Sequence, residues 1–124
     1  MSINWLAHPK DTNFDAALSY LILAVGHPVA KRLVEKLHTA AIENFAAKDI
    51  LRAANTQALP LQTEHVQDNL KKMKKGQEIG PVLLCRVPGR PLIIADGMHR
   101  ISAAWYLDED TPVHALVAEL KEPI

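Results

Sequence analysis

The sequence predicts an α+β fold with an α/β-like arrangement, in which a small mixed sheet and its helices follow a helical N-terminal segment. Three observations favour this fold. Apolar residues between positions 14 and 25 recur at the i, i+3, i+4 spacing of a one-sided helix. The run over residues 81–87 is short and almost continuously apolar, which is typical of a buried strand. A second apolar run, residues 92–95, leads into an Asp-Gly turn that is followed by helical spacing.

The N-terminal elements are predicted to be helices. Gly26 suits the end of the first helix, because glycine tolerates left-handed backbone, and Pro28 suits the first turn of the second. We predict this second helix over residues 28–46 and a short third helix over residues 49–54. The apolar stripe of the second helix consists of Leu33, Leu37, Ala41 and Phe45.

The domain organisation follows from a change of character near residues 55–58. Residues 1–55 are predicted to be a helical extension, and residues 56–124 to be the α/β core. The apolar stripes of the extension need a partner on which to pack. We therefore predict a single domain over residues 1–124, a length that is sufficient for one hydrophobic core.

Helices and strands alternate in the predicted core. Thr63 is a suitable N-cap for a helix over residues 64–75, which Gly76 ends. The two apolar strands are joined by a Pro-Gly turn. A helix follows the Asp-Gly turn, an acidic turn ends it, and a last strand is predicted over residues 112–117.

Composition and charge limit the classes of function. The formal net charge is zero, so the overall balance favours neither nucleic acid nor an anionic membrane. Cys85 is the only cysteine, which excludes an internal disulfide framework. The longest apolar stretch, residues 16–25, is too short to span a bilayer, and no secretory signal is recognisable. We therefore expect a soluble, cytoplasmic protein without a membrane partner.

The Asp-Gly turn is the strongest candidate for an anion-binding site. The free N–H groups at the start of a helix attract negative charge, and Gly97 lets the backbone approach a ligand closely. Arg100 has the fork geometry that binds phosphate oxygens, and His99 can donate a hydrogen bond or transfer a proton. The sequence thus predicts phosphate binding by Gly97, Met98, His99 and Arg100.

The order of elements over residues 59–120 resembles the ParB/sulfiredoxin-like superfamily. The resemblance rests on Gly-Pro-Val-Leu-Leu at residues 80–84, Ala-Asp-Gly-Met-His-Arg at 95–100 and Thr-Pro-Val at 111–113. It implies a ParB/sulfiredoxin-like core in which the Gly-x-His-Arg turn cradles nucleotide phosphates. The superfamily includes sulfiredoxins, partition-type nucleotide switches, free-serine kinases and nuclease-like proteins, so the resemblance alone does not define the reaction.

Departures from the family pattern narrow the implied activities. Sulfiredoxins carry their reacting cysteine where this chain has Met98, and Cys85 lies on the preceding strand, so we do not expect a sulfinic-acid reductase. Partition proteins carry an arginine-rich turn and a helix-turn-helix module that we do not find in this sequence. Free-serine kinases have an Asp-Gly-x-His-Arg turn like this one and an acidic residue upstream, for which Glu64 is the nearest match.

Catalytic roles are predicted for three side chains. Asp96 or Glu64 would activate an attacking hydroxyl or water, and His99 would neutralise developing charge. The cofactor implied is a nucleotide, namely ATP, ADP or CTP, accompanied by Mg²⁺. Ser102, one turn into the helix, could add a hydroxyl to the phosphate site. The alternatives are structural: Asp96 as a helix cap, Arg100 as an ordinary ion pair and Glu64 as a first-turn acid that stabilises its helix.

Three hypotheses for the function remain open at this stage. The first is a phosphate- or nucleotide-binding protein, with phosphoryl transfer by a kinase or hydrolysis by an NTPase as its reaction. The second is a DNA-associated, partition-like or nuclease-like protein that uses the lysine run of residues 71–75. The third is a non-catalytic interaction protein that retains the fold. A homodimer is compatible with all three. The scattered histidines show no metal-ligand spacing, so we expect no structural metal site.

Overall fold

The computed structural model describes residues 2–122. Within them the chain forms five helices and a four-stranded mixed sheet, so the mixed α+β class is confirmed. The helices are α1 (Asp11–Val25), α2 (His27–Thr39), α3 (Ala47–Ala53), α4 (Glu64–Lys74) and α5 (Met98–Leu107), and the strands are β1 (Glu43–Ala46), β2 (Val82–Arg86), β3 (Ile93–Asp96) and β4 (Pro112–Glu119).

The sheet has the strand order β1-β4-β2-β3. The central pair, β2 and β4, is parallel, whereas β1 pairs with β4 and β3 pairs with β2 in antiparallel orientation. The chain passes from β2 to β4 through β3 and α5. Because β3 is one edge of the sheet, the turn that joins it to α5 lies at the rim of the fold.

Helices cover both faces of the sheet, and successive residues of β2 point alternately to one face and the other. Leu83 and Cys85 pack in one hydrophobic cluster with α1 and α2. Val82 and Leu84 pack in a second cluster with α3, α4 and α5. All four residues are at most 1% exposed, which explains why the sequence of β2 is apolar without alternation.

The helix predicted over residues 28–46 is wrong over residues 40–46. α2 ends at Thr39, and β1 then pairs with β4 so that Asn44 lies opposite His114. Phe45 has the spacing of the α2 stripe, but it packs instead with the cluster of α3, α4 and α5. Pairing with a strand distant in the sequence therefore overrode the local helical periodicity. Residues 1–55 consequently contribute a strand to the sheet as well as three helices.

Other predicted boundaries agree more closely with the structure. Gly26, at φ +86°, ends α1 with its N–H bonded to the carbonyl of Ile22. α4 begins at Glu64, and β4 continues two residues beyond its predicted end. Within residues 2–122, none of the helices combines the length and the apolar character that a bilayer crossing requires.

Candidate functional site

The turn between β3 and α5 depends on Gly97. Its φ of +114° is a backbone angle that residues with a side chain rarely adopt. A Cβ atom at this position would lie 2.5 Å from Cγ1 of Val82. Glycine is therefore needed both for the backbone angle and for the close approach of the turn to β2.

The first turn of α5 carries no side-chain cap. The N–H groups of Met98, His99 and Arg100 precede the first intrahelical bond, which Ile101 donates to the carbonyl of Gly97. Asp96 therefore does not cap α5 with its side chain, in contrast to the structural alternative considered for it. The residues of this first turn are half-buried, at the end of the helix where the dipole favours an anion.

Arg100 is part of the scaffold of this turn. Its Nη1 donates to the carbonyl oxygens of Gly80, at 2.8 Å, and Pro81, at 3.0 Å, and its Nη2 donates to Oδ2 of Asp96 at 2.6 Å. The side chains of Arg100 and Asp96 are only 12% and 20% exposed. Burial lowers the pKa of Arg100, and the carboxylate of Asp96 opposes this effect. The guanidinium predicted to bind phosphate therefore ties β3 and α5 to the loop before β2.

The loop before β2 is itself anchored to the N-terminal segment. Ile79 donates its N–H to the carbonyl of Asn4 and accepts a hydrogen bond from the N–H of Leu6, both at 2.8 Å. Gly80 leaves space for the arginine, since a Cβ there would lie 3.2 Å from Nη1 of Arg100. This arrangement places Glu78, Ile79 and Gly80 along one wall of a cleft in front of α5.

The cleft in front of α5 has a volume of about 410 Å³ and a polar lining. α4 forms its second wall through His65, Asn69 and Lys72, which share one face of the helix because they are spaced i, i+4 and i+7. Lys10 and Asn13, at the start of α1, close a third side. The turn itself contributes Asp96, Gly97, His99 and Arg100.

Two histidines meet in this cleft. The rings of His65 and His99 are in edge contact, with centroids 5.2 Å apart and an interplanar angle of 72°. Burial lowers the pKa of His99, and the nearby His65 and Arg100 lower it further, while Asp96 acts in the opposite direction. His99 is therefore neutral near pH 7 and able to accept a proton or to donate one hydrogen bond.

The structure brings together only some of the residues predicted for the site. Gly97, His99, Arg100 and Asp96 line the cleft, but the polar groups of Arg100 and Asp96 bind each other. Met98 contributes its backbone to the first turn, while its side chain packs on the core cluster of α3, α4 and α5.

Ser102 and Glu64 lie apart from the cleft. The Ser102 hydroxyl is fully buried and accepts a hydrogen bond from the N–H of Leu59 at 3.0 Å. Ser102 is not among the residues that line the cleft, and its hydroxyl fastens the segment before α4. Glu64 is exposed at the first turn of α4 and is not among the residues that line the cleft.

Residues that sequence reasoning passed over complete the lining. Lys10, Asn69 and Glu78 line the cleft without having been singled out. Lys72 lines it too, and the sequence offered it only as a member of the lysine run of residues 71–75, whose pattern is also that of a solvated helix end. The i, i+4, i+7 spacing of His65, Asn69 and Lys72 was the available sequence signal. Lys10 and Glu78 gave none, because only tertiary contacts bring them near the turn.

Within residues 2–122 no group of three or more potential ligands is placed to hold a metal ion, and Asp96 is already paired with Arg100. Cys85 is buried in the sheet, and burial raises the pKa of its thiol to about 12, so it is protonated near pH 7.

Comparison with known proteins leaves the family unassigned. The chain matches no family model, and neither a curated protein nor a solved structure shows significant similarity to it. The interpretation of the site therefore depends on its own geometry.

Proposed function

We propose that the chain binds a phosphate-bearing small molecule, with nucleotides as the favoured class, in the cleft between α4 and the first turn of α5. One observation carries the proposal: the uncapped first turn of α5 opens into a polar cleft that also holds Lys10 and Lys72. A helix N-terminus and two lysines from different elements line the same cleft, a combination that stabilises a phosphate.

The charges around the cleft support an anionic ligand. Lys10 and Lys72 face carboxylates from Glu78 and Asp96, but Asp96 is neutralised by Arg100. The cations of the cleft thus exceed the unpaired carboxylates. The volume of about 410 Å³ is within the range of small-molecule sites. In this proposal Arg100 is a positioning residue that holds the turn.

The resemblance to the ParB/sulfiredoxin-like superfamily is part of the same proposal. It is supported by the strand, Gly97 turn and helix formed around the Asp-Gly-x-His-Arg sequence. A nucleotide such as ATP, ADP or CTP would bring its own Mg²⁺ into the cleft. Of the two carboxylates that line the cleft, Asp96 pairs with Arg100, and Glu78 has no side-chain ion pair among the described residues.

Phosphoryl transfer or hydrolysis is the reaction that this site would support. His99 is the side chain best suited to move a proton, because it is neutral near pH 7 and touches His65. Asp96 is held by Arg100, and Glu64 lies outside the cleft lining, so neither carries the role of base in the proposal.

A lysine pair on α4 tests the proposed site. Lys72→Met is expected to weaken binding of inorganic phosphate or ATP about tenfold, because it removes one charged contact to the phosphate. A tenfold change corresponds to about 1.4 kcal/mol. Lys71→Met is the matched control, because Lys71 carries the same charge on the same helix but does not line the cleft. Calorimetric titration of both variants and the wild type measures the difference.

The outcomes separate a specific site from general attraction. Equal losses in Lys71→Met and Lys72→Met would indicate that only the net charge of α4 matters. An absence of binding of phosphate, ATP, ADP and CTP to the folded wild-type protein would overturn the proposal.

The pH dependence of anion binding gives a second test, which centres on His99. Burial lowers the pKa of His99 in the free protein, whereas an anion bound beside it stabilises the protonated ring and raises that pKa. His99 therefore takes up a proton from solvent on binding, and by linkage the affinity increases as the pH falls. Sulfate is the suitable probe because it stays a dianion between about pH 8 and about pH 5. We expect tighter sulfate binding at the lower pH and no such gain in His99→Asn, measured by NMR titration. A wild-type affinity that does not change with pH would contradict a role for His99.

A further inference from the structure

The outer edge of β3 is an open strand edge. β3 pairs with β2 on one side only, and within residues 2–122 no strand pairs with its other side. The chain occupies this edge at one point, just before the strand, where the N–H of Leu92 donates to the carbonyl of Ala53. The strand sequence Ile93-Ile94-Ala95 carries no charge. Proteins commonly guard such edges with charged residues, and β3 lacks that protection until Asp96.

A groove of about 550 Å³ runs along this edge. Its walls are Tyr20 of α1 on one side and Ala54 and Thr56 on the other, and β3 forms its length. Tyr20 is 50% exposed, and Leu23, one turn further along α1, is 89% exposed. The outward-facing residues of α1 beyond its first turns are uncharged, namely Ala16, Ser19, Tyr20 and Leu23.

We propose that this surface, the edge of β3 together with the outer face of α1, pairs with the same surface of a second copy of the chain. The two β3 strands would join in antiparallel orientation about a two-fold axis, and the sheets would continue across the interface. This symmetric mode uses one patch twice, as in most homodimers.

Backbone chemistry argues for a second copy as the occupant. The free N–H and C=O groups of a strand edge are matched by another strand edge, and this chain supplies one of the right length and polarity in every copy. An axis through Ile94 places Ile93 of one copy opposite Ala95 of the other, so that residues directly opposite each other have their side chains on the same face of the joined sheet.

The later turns of the outer face of α1 are compatible with self-pairing. Two identical surfaces that carry a net charge repel each other, whereas the exposed residues of α1 from Ala16 to Leu23 carry no charge; the exposed Asp11 and Asp15 precede them. A four-residue strand pair alone buries too little surface for a stable dimer, which needs roughly 1,000 Å² or more in total. Tyr20 and Leu23 provide the additional apolar area beside the strand, because they project from the helix that packs on β3.

Sedimentation velocity of the full chain tests the proposal, over concentrations up to about 1 mM, the weak end of specific affinity. The wild type is expected to sediment as a species of twice its mass of 13.7 kDa. The double variant Tyr20→Lys, Leu23→Lys is expected to sediment as a monomer, because it places two like charges on each copy. Both side chains are exposed, so the variant should fold, which thermal unfolding verifies. Leu61→Lys is the matched control, since Leu61 is 43% exposed and lies in the segment before α4.

Hydrogen exchange then tests the strand pairing itself. Amide protection within residues 93–96 should increase with protein concentration in the wild type and not in the double variant. A wild type that stays monomeric at all concentrations would overturn the proposal, as would a dimer that persists in the double variant. A dimer without concentration-dependent protection of β3 would overturn the paired edge. None of these outcomes depends on whether the cleft binds phosphate.

Discussion

Replacing Arg100 with methionine is expected to lower the free energy of unfolding by about 3 kcal/mol, although methionine preserves much of the apolar stem. The change leaves the carboxylate of Asp96 without its partner in a site where both side chains are mostly buried. It also removes the donors that satisfy the carbonyl oxygens of Gly80 and Pro81. Chemical denaturation monitored by the two tryptophans measures the loss, which corresponds to a decrease of roughly 10 °C in Tm.

A surface arginine offers the matched control for this prediction. Arg86 pairs with Glu119 at 3.5 Å, but these side chains are 50% and 43% exposed. We therefore expect Arg86→Met to cost about 0.5 kcal/mol or less, as for other exposed ion pairs. A loss of similar size in both variants would contradict the structural role assigned to Arg100.

The Arg100 variant also separates the scaffold from the ligand. If Arg100 held phosphate directly, Arg100→Met would abolish binding while leaving the protein stable. The hydrogen bonds to Gly80, Pro81 and Asp96 lead to the opposite expectation, namely a large loss of stability and a reduction of affinity that follows from a disordered turn. A double-mutant cycle with Asp96→Asn measures the part of this energy that comes from the ion pair.

The second large effect is expected for Gly97→Ala. Alanine at this position would have to adopt φ +114°. Its Cβ atom would also lie 2.5 Å from Cγ1 and 2.7 Å from Cβ of Val82. Left-handed backbone costs about 1–2 kcal/mol for a residue with a side chain, and overpacking against a buried strand adds about 1–3 kcal/mol. We expect a total destabilisation of about 3 kcal/mol, with loss of anion binding because the first turn of α5 must shift.

Gly89 provides the control for the backbone contribution. It has φ +76°, and a Cβ there would meet nothing within 4 Å. Gly89→Ala should therefore cost only about 1 kcal/mol and leave anion binding unchanged. Equal stability of the two variants would show that the contact between Gly97 and Val82 is unimportant.

Local features allowed much of the fold to be predicted. The apolar spacing of α1, the continuous apolar run of β2 and the glycine after β3 each depend on residues close in sequence. Gly97 is the clearest case, because Asp-Gly between a strand and a helical pattern predicts a turn, and glycine tolerates the positive φ that the structure has there. The helix predicted through Phe45 failed because its periodicity is equally compatible with a strand that packs one side chain on the core.

The site shows the same division between local and distant contacts. The sequence by itself determined the position of the turn between β3 and α5, since strand, glycine and helix start are consecutive. Only the tertiary structure decided what the neighbouring side chains do: Arg100 binds carbonyl groups 19 and 20 residues away, and Ser102 binds Leu59, 43 residues away. It also brought Lys10 of the N-terminal segment and Lys72 of α4 to the same cleft. Periodicity specifies which face of an element is buried, but the partner of a polar side chain depends on how distant elements pack, and no local pattern encodes that.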